Sequence, residues 1–360
     1  MSAPARTGSG LDEAGGVDNR PLDLRLEDHR RELTGYCYRM LGSAFEAEDA
    51  VQDTMVRAWK GLAKFDGRSS LRSWLYRIAT NVCIDALNGR KRRAVPMDVG
   101  GPGAPVAESL REPLPDAEWL EPMPDARVST PAGDPADKAI ARETIRLAFV
   151  AALQHLPARQ RAVLILREVL CWKAAEVAAL LDTSVASVNS ALQRARATLG
   201  EQGISEAAPG TAPSMDTAHT ELLMRYMAAF EAFDMEALTA LLHQDVEQNM
   251  PPLELWFRGR EDVIAWMATG PGQACRGSRV APVAINGTLG FAQWKPSGPD
   301  GGFEAWGIHA LRIEDGLVTG LSIFLNKDLF GYFGLPLKLA DRPELWEPKL
   351  AVGETGPPTA

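Results

Sequence analysis

The chain has 360 residues, 46% of them hydrophobic and 24% charged, with a formal net charge of −9. That length suits two or three packed domains, and the apolar content excludes a wholly disordered polypeptide. The acidic total excludes a uniformly basic nucleic-acid coat, so any DNA-reading surface must be basic locally.

Residues 1–21 are rich in Gly, Ala and Asp, lack an apolar signal-peptide core, and read as a disordered tail. Residues 22–93 read as a helical block. Glu46, Glu48, Asp49 and Asp53 form an acidic stripe early in it. Arg68, Arg72, Arg77, Arg90, Lys91, Arg92 and Arg93 follow, with Asp85 the one acid between residues 68 and 93. Phe65, Trp74 and Tyr76 are interleaved with these bases. Cations that track phosphates and rings that stack on bases suit a single strand. The competing reading makes Trp74 and Tyr76 core residues, and Trp74 reads equally well as an apolar anchor of a short helix.

Residues 94–138 contain nine prolines, four glycines, nine acids and three bases, the composition of a tether and not of a packed domain. Trp119 stands in it within the string WLEPMPD and asks for a receiving surface. Residues 139–200 carry a helix-turn-helix pattern. Val177, Ala178 and Leu181 give an apolar face to a first helix, Asp182-Thr183-Ser184 the turn, and Val185, Val188, Leu192 and Leu199 a face to a second. Asp182 tolerates the left-handed backbone such a turn needs. Ala186, Ser187, Asn189, Ser190, Gln193, Arg194 and Arg196 lie outward, with side chains suited to base edges and phosphates of a major groove. An ordinary amphipathic hairpin is the competing reading.

Residues 201–213 are a Gly/Pro/Ala joint. Helices are expected over 217–233, 235–242 and 260–268, and strands over 279–285, 290–295, 303–313 and 317–324, separated by Gly/Pro/Asp turns. Residues 337–360 read as a tail. Cys37, Cys83, Cys171 and Cys275 are scattered without a CxxC pair, so no zinc or disulfide framework is expected and a reducing cytoplasm is the default. No apolar run approaches a membrane span.

The strings AEDAVQDTMVRAWKGL, FDGRSSLRSWLYRIATNVCIDALNGRKRR and the RAR-containing hairpin resemble regions 2 and 4 of extracytoplasmic-function (group 4) sigma-70 factors of bacterial RNA polymerase, over about 22–93 and 139–200. The resemblance implies that Glu48, Asp49, Gln52 and Asp53 dock on the clamp helices of the largest polymerase subunit. Ser69, Ser70, Arg72, Trp74, Arg77, Asn81, Arg90, Lys91 and Arg92 would open and hold the −10 element, where extruding a base costs a few kcal/mol. Ala186, Ser187, Asn189, Ser190, Gln193, Arg194 and Arg196 would read the −35 element, with region 4 on the polymerase flap. The linker would thread the active-site cleft. No anti-sigma factor, membrane or cofactor is implied.

Beyond Leu199, the strings YMAAFEAFDMEALTALLHQDV, MPPLELWFRGREDVIAWM, INGTLGFAQW, LRIEDGLVTGLSIFLN and DLFGYFGLP resemble a SnoaL-like domain of the nuclear-transport-factor-2-like superfamily, over about 216–336. That implies a cone with a candidate pocket lined by Tyr226, Met250, Trp256, Trp294, His309 and Phe324. The expected fold is therefore multidomain: all-α region 2 and region 4 modules plus an α+β cone at 214–336. The expected function is promoter recognition and transcription initiation, with the cone regulating in cis and no catalytic or metal site. The alternatives are a SnoaL-like cyclase or isomerase fused to a DNA-binding module, and a dimeric repressor. The repressor leaves the acidic helix and the basic-aromatic stretch without a role.

Overall fold

The computed structural model describes residues 20, 22–65, 67, 69–112, 119–128, 143–201, 217–298 and 302–339. These fall into two compact units, one built from the chain up to Arg90 and from Ala152 to Glu206, the other from Lys91 to Ala151 and from Ala207 onward. The 22–90 block and the helix-turn-helix from Ala152 thus share a unit, while the linker and the residues up to Ala151 belong with the C-terminal domain. The expected tail regions 1–19 and 340–360, the joint at 202–216 and Arg68 lie outside the described residues.

In the first unit, helices α1 (Leu22–Glu27), α2 (Arg30–Leu41), α3 (Ala44–Gly61) and α4 (Leu71–Leu87) form the first module. Gly42 ends α2 with φ of 70°, and Ser43 starts α3 by accepting the Glu46 N–H. These two caps turn the chain so that Leu33, Tyr36, Met40, Val51, Leu75 and Ala79 share one core. Tyr36 donates to or accepts from Thr80 Oγ1 at 2.7 Å inside it, which satisfies both hydroxyls. Helix α5 (Leu147–Leu153) straddles the boundary between the two units at Ala152, and the second module continues in this unit with α6 (Ala158–Leu164), a π-helical turn at Ile165–Val169, α7 (Ala174–Leu180) and α8 (Val185–Glu201). Asp182 lies between α7 and α8 at φ 49°, as its place in the turn requires. The apolar face of α8 is Val188, Leu192, Ala195 and Leu199. Val185 is exposed, and on α7 Leu180 is buried in place of the expected Leu181. Both shifts come from where each helix begins and ends: Val185 is the first residue of α8 and Leu181 caps α7, so neither reaches the seam.

The second unit is an α+β domain. Helices α9 (Thr217–Ala232), α10 (Met235–Leu241) and α11 (Arg260–Ala268) pack on a curved sheet of β1 (Leu242–Asn249), β2 (Trp256–Arg258), β3 (Arg279–Ile285), β4 (Thr288–Ser297), β5 (Gly302–Glu314) and β6 (Leu317–Phe324). The order is β2-β1-β6-β5-β4-β3, with the two-residue β7 (Lys338–Leu339) on β5. The sheet is mixed, because β1 runs parallel to β6, and so is not wholly antiparallel. β1 was not expected from sequence: LHQDVEQN has few apolar positions and no strict alternation. β3 and β4 are joined by Asn286-Gly287, both at positive φ, the backbone a two-residue hairpin needs. At Gly290 the β4 and β5 backbones come so close that a Cβ would lie 2.0 Å from the His309 carbonyl oxygen. Leu223, Phe230, Val246, Phe257, Trp266, Phe291 and Leu321 make the core between helices and sheet.

Candidate nucleic-acid interface

On α3, Asp49 and Gln52 are exposed, and Asp53 pairs with Arg57 at 2.8 Å. Glu48 lies close enough to Arg30 to favour the charge of that guanidinium. Beside this acidic stripe runs a groove of about 390 Å³ lined by Leu26, Glu27, Arg30, Gln52, Met55, Val56, Trp59 and Lys60. Trp59 is 68% exposed there. Sequence reading had passed over Val56 and Trp59; their signal is two large apolar residues, three apart, beside the Asp49/Asp53 face of one helix.

On α4, Ser70 is the N-cap, its hydroxyl accepting the Ser73 N–H at 3.1 Å, and Ser69 is exposed. Trp74 lies half-buried on Phe65, ring centroids 4.9 Å apart, against Gly61, where a Cβ would meet its ring at 3.2 Å. Tyr76 is fully buried, so it is core and not a stacking platform. Arg72 donates to Glu32 Oε2 at 2.8 Å and lies over the rings of Tyr76 and Trp172, 5.3 and 5.5 Å from the centroids. Desolvation raises the Glu32 carboxyl, but His29 and Arg72 outweigh it and the net pKa is lowered. Arg77, Asn81 and Asp85 are exposed along one side of the helix. Arg77 nonetheless donates through Nε to the Leu180 carbonyl at 3.3 Å and through Nη2 to that of Ala179. Arg90 pairs with Glu46, Arg92 with Asp98 at 3.5 Å, and Lys91 is exposed.

On α8, Ala186, Ser187, Asn189, Ser190, Gln193, Arg194 and Arg196 are all exposed. Ser184 Oγ accepts the Ser187 N–H at 3.1 Å and caps the helix. Arg196 pairs with Glu168 at 2.9 Å. One residue that sequence reading missed is Arg161. It is buried, and its guanidinium donates to Gln154 Oε1 at 2.7 Å, to the Gln154 and Leu156 carbonyls at 3.1 Å, and to the Met40 carbonyl. Burial pulls its pKa down to about 10.

The candidate pocket is corrected in part. Tyr226 and Met250 are buried in the cone interior. His309 is buried there too, its ring stacked on Phe291 at 4.2 Å and its Nε2 bonded to Gln293 Oε1 at 2.9 Å; Gln293 Nε2 donates on to Ser278 Oγ. Burial, helped by Lys295, pushes the imidazole down to about 3, so it stays neutral at physiological pH. Trp294, Trp256 and Phe324 do not line that interior. Trp294 packs edge-on against Phe330 and donates its indole N–H to the Pro336 carbonyl. Trp256 donates to the Gly100 carbonyl of the linker. Phe324 pairs with Ile308 and so faces away from Ile323, which is in the core. Simple alternation along β4 puts Trp294 on the face opposite Phe291 and Gln293, and the register shift between Gln293 and Trp294 is taken up on β5, where Trp306 is the extra residue.

The linker is ordered where it is described. Trp119 bridges to Ala94, and Arg93 donates to its carbonyl at 2.6 Å. Met123 and Pro124 lie along the β3 end, with Pro124 bridged to Ile285. Asn286 takes the Met123 N–H on Oδ1 at 2.8 Å, gives its own N–H to the Met123 carbonyl at 3.0 Å, and gives Nδ2 to the Ile145 carbonyl at 2.7 Å. Gly287 donates to Asp125 Oδ1 at 2.8 Å. One asparagine therefore grips the linker at Met123 and the segment that follows it at Ile145.

Among the described residues no helix is long and apolar enough to cross a membrane, and no cluster of His, Cys, Asp or Glu is placed to hold a metal. Sigma-70 region 2 matches residues 26–93, Sigma-70 region 4 residues 146–199, and a SnoaL-like domain residues 223–321. The chain is 44% identical over 327 residues to the extracytoplasmic-function (ECF) RNA polymerase sigma factor SigG of Mycobacterium tuberculosis, covering 89% of this chain and 86% of that one. It is 28% identical over 332 residues to ECF RNA polymerase sigma factor SigJ of the same species, covering 87% and 94%. The crystal structure of that SigJ matches with a TM-score of 0.54, covering 87% of this chain and 99% of SigJ. With both sigma modules in family order and a relative of this identity along most of the chain, the protein belongs to the ECF sigma factors, transcription initiation factors that bind core RNA polymerase and promoter DNA, and it carries a fused SnoaL-like domain.

Proposed function

We propose that this sigma factor docks on the clamp helices of the polymerase through the acidic face of α3, with region 4 on the flap. It holds the −10 strand on α4 and reads the −35 groove with α8. The working modules are 22–93, 139–200 and 214–336, and the site of action is the cytoplasm. The cone at 214–336 regulates initiation in cis by holding the linker between the two promoter readers. The observation that carries this regulatory reading is the grip of Asn286 on Met123 and Ile145. A linker held on the cone cannot at the same time thread the polymerase cleft, so the two uses compete. Differential contacts of this kind are what a population shift requires. His309 is neutral, and its bonded partner is an amide and not a carboxylate, which gives a general base no means of activation. The cone is read as a binding module on that ground.

The test is transcription in vitro with core polymerase, comparing the full chain with one ending near Gly200. Regulation in cis predicts different output at matched core affinity. Equal output would remove the regulatory role and leave the cone as an independent module.

A further inference from the structure

The rim of the cone holds a cluster that neither promoter reading nor the linker grip employs. Lys295 lies on the same face of β4 as Phe291 and Gln293. It is half-buried, and no carboxylate pairs with it among the described residues: Glu304, directly across on β5, pairs with Lys338 at 3.4 Å. A charge drawn out of water is ordinarily paired. Its Nζ stands 3.3 Å from the ring centroid of Trp306, the extra residue of the β5 bulge, which is 37% exposed. Cys275 ends a short 3₁₀ turn (Pro271–Cys275), packs partly buried against the cone core, and lies within hydrogen-bond reach of the Lys295 ammonium. Burial pulls the Lys295 pKa down, and the Cys275 thiol offsets this in part. Tyr226, on α9, is close enough to feel the same thiol; it is 5% exposed, and its hydroxyl has no hydrogen-bond partner among the described residues. A buried phenol usually finds one. A sulfur nucleophile, an ammonium without a carboxylate and a phenol without an acceptor thus meet at one place. What the two donors lack is an oxygen that takes on negative charge.

We propose that the cone rim is a covalent site for apolar α,β-unsaturated ketones, with Cys275 as nucleophile and Lys295 and Tyr226 as donors to the ketone oxygen. The Cys275 thiol gives its proton to water, and the thiolate forms a C–S bond to the β-carbon. The carbon–carbon π bond breaks and its electron pair moves onto the ketone oxygen as an enolate, to which Lys295 Nζ–H and Tyr226 O–H donate. Water then returns a proton to the α-carbon. One thiol and one enone become one thioether ketone; nothing leaves, and no oxidant is needed. Trp306 supplies an apolar wall to the ligand. Each chain reacts once, so this is capture and not turnover.

The experiment uses the full chain with phenyl vinyl ketone, and with iodoacetamide as a reagent that develops no enolate oxygen. Rates at Cys275 and at the exposed Cys171 are read in the same molecule by peptide mass spectrometry. Cys275 is expected to add the ketone about tenfold faster than Cys171, the gain of one charged hydrogen bond, although Cys171 is the more exposed. Lys295→Met should bring Cys275 down to the Cys171 rate. Tyr226→Phe should slow the ketone and leave iodoacetamide unchanged, a split that loosening of the cone would not produce. Ketone addition at Cys275 no faster than at Cys171 overturns the site. A fast rate that survives Lys295→Met overturns it too, as does a Tyr226→Phe variant that slows both reagents alike or neither. Should Lys295→Met unfold the cone by circular dichroism, the Tyr226→Phe split decides the question.

Discussion

Two helices of the same unit carry the candidate promoter-reading residues, and their side chains are engaged differently within the chain. On α8 every candidate side chain faces outward, and Gln193, Asn189 and Arg194 have no hydrogen-bond or ion-pair partner among the described residues. On α4 the candidates are employed: Arg72 on Glu32 and beside the rings of Tyr76 and Trp172, Trp74 on Phe65, Arg77 on the end of α7. A groove-reading helix can be left exposed because its partner is a rigid duplex that meets a ready surface. A strand-holding surface carries rings and arginines that find partners within the chain when no strand is present. Changes on α8 should therefore act only when DNA is present, and changes around α4 should be felt by the protein alone.

The largest expected effect comes from loosening the unit in which the comparison exists. Arg161→Ala strands the carbonyls of Gln154, Leu156 and Met40, and should cost about 3 kcal/mol in urea unfolding, since unsatisfied buried acceptors cost about 1–3 kcal/mol each. Arg161→Lys should recover little, because an ammonium cannot reproduce the planar fork. Next comes Asp49→Lys combined with Asp53→Lys. Reversing one face of α3 should lower core-polymerase affinity by about a hundredfold, or about 2.7 kcal/mol, with the melting temperature nearly unchanged. Equal affinity in a pull-down titration would break the assignment of that helix.

Smaller again are changes on α8. Gln193→Ala and Asn189→Ala should each alter base preference at −35 by about 1–3 kcal/mol if bidentate, and Arg194→Ala should weaken all sequences alike. None of the three should shift protein-only melting, and a shift would erase the contrast with α4. The smallest effect is in pH dependence. The Glu32 carboxyl is held below its usual value chiefly by His29 and Arg72 against its burial, so its contribution is complete above about pH 4.5 and is lost as pH falls below that. Arg72→Gln should flatten that acid limb by less than about 1 kcal/mol, while Arg194→Gln leaves it unchanged.

Much of this was legible in the sequence, for physical reasons that differ by element. The α8 face follows from period 3.6 alone, and Asp182 marked its own turn. The strands β3 and β6 and the helix α11 lie where alternation and turn residues put them. β1 was hidden because its polar residues meet water on one side only in part, and because its parallel pairing with β6 is distant in sequence. Trp256 and Trp294 looked like cone liners because large aromatics are usually interior; a linker carbonyl and the Pro336 carbonyl cover them instead. Arg161 and Arg77 could not be placed, since an arginine within a helix ordinarily reads as solvated and only tertiary structure brings carbonyls to it. The linker composition read as a tether, and gave no sign of the hairpin that holds it at Met123.

The cis-regulatory claim is tested most directly at Asn286. Asn286→Gly removes both side-chain grips while preserving the positive φ of the turn. Transcription in vitro by core polymerase loaded with this variant, at matched core affinity, should depart from wild type in the same direction as the chain ending near Gly200. Output equal to wild type, with the truncated chain still different, would contradict the account by showing that the cone acts without holding the linker.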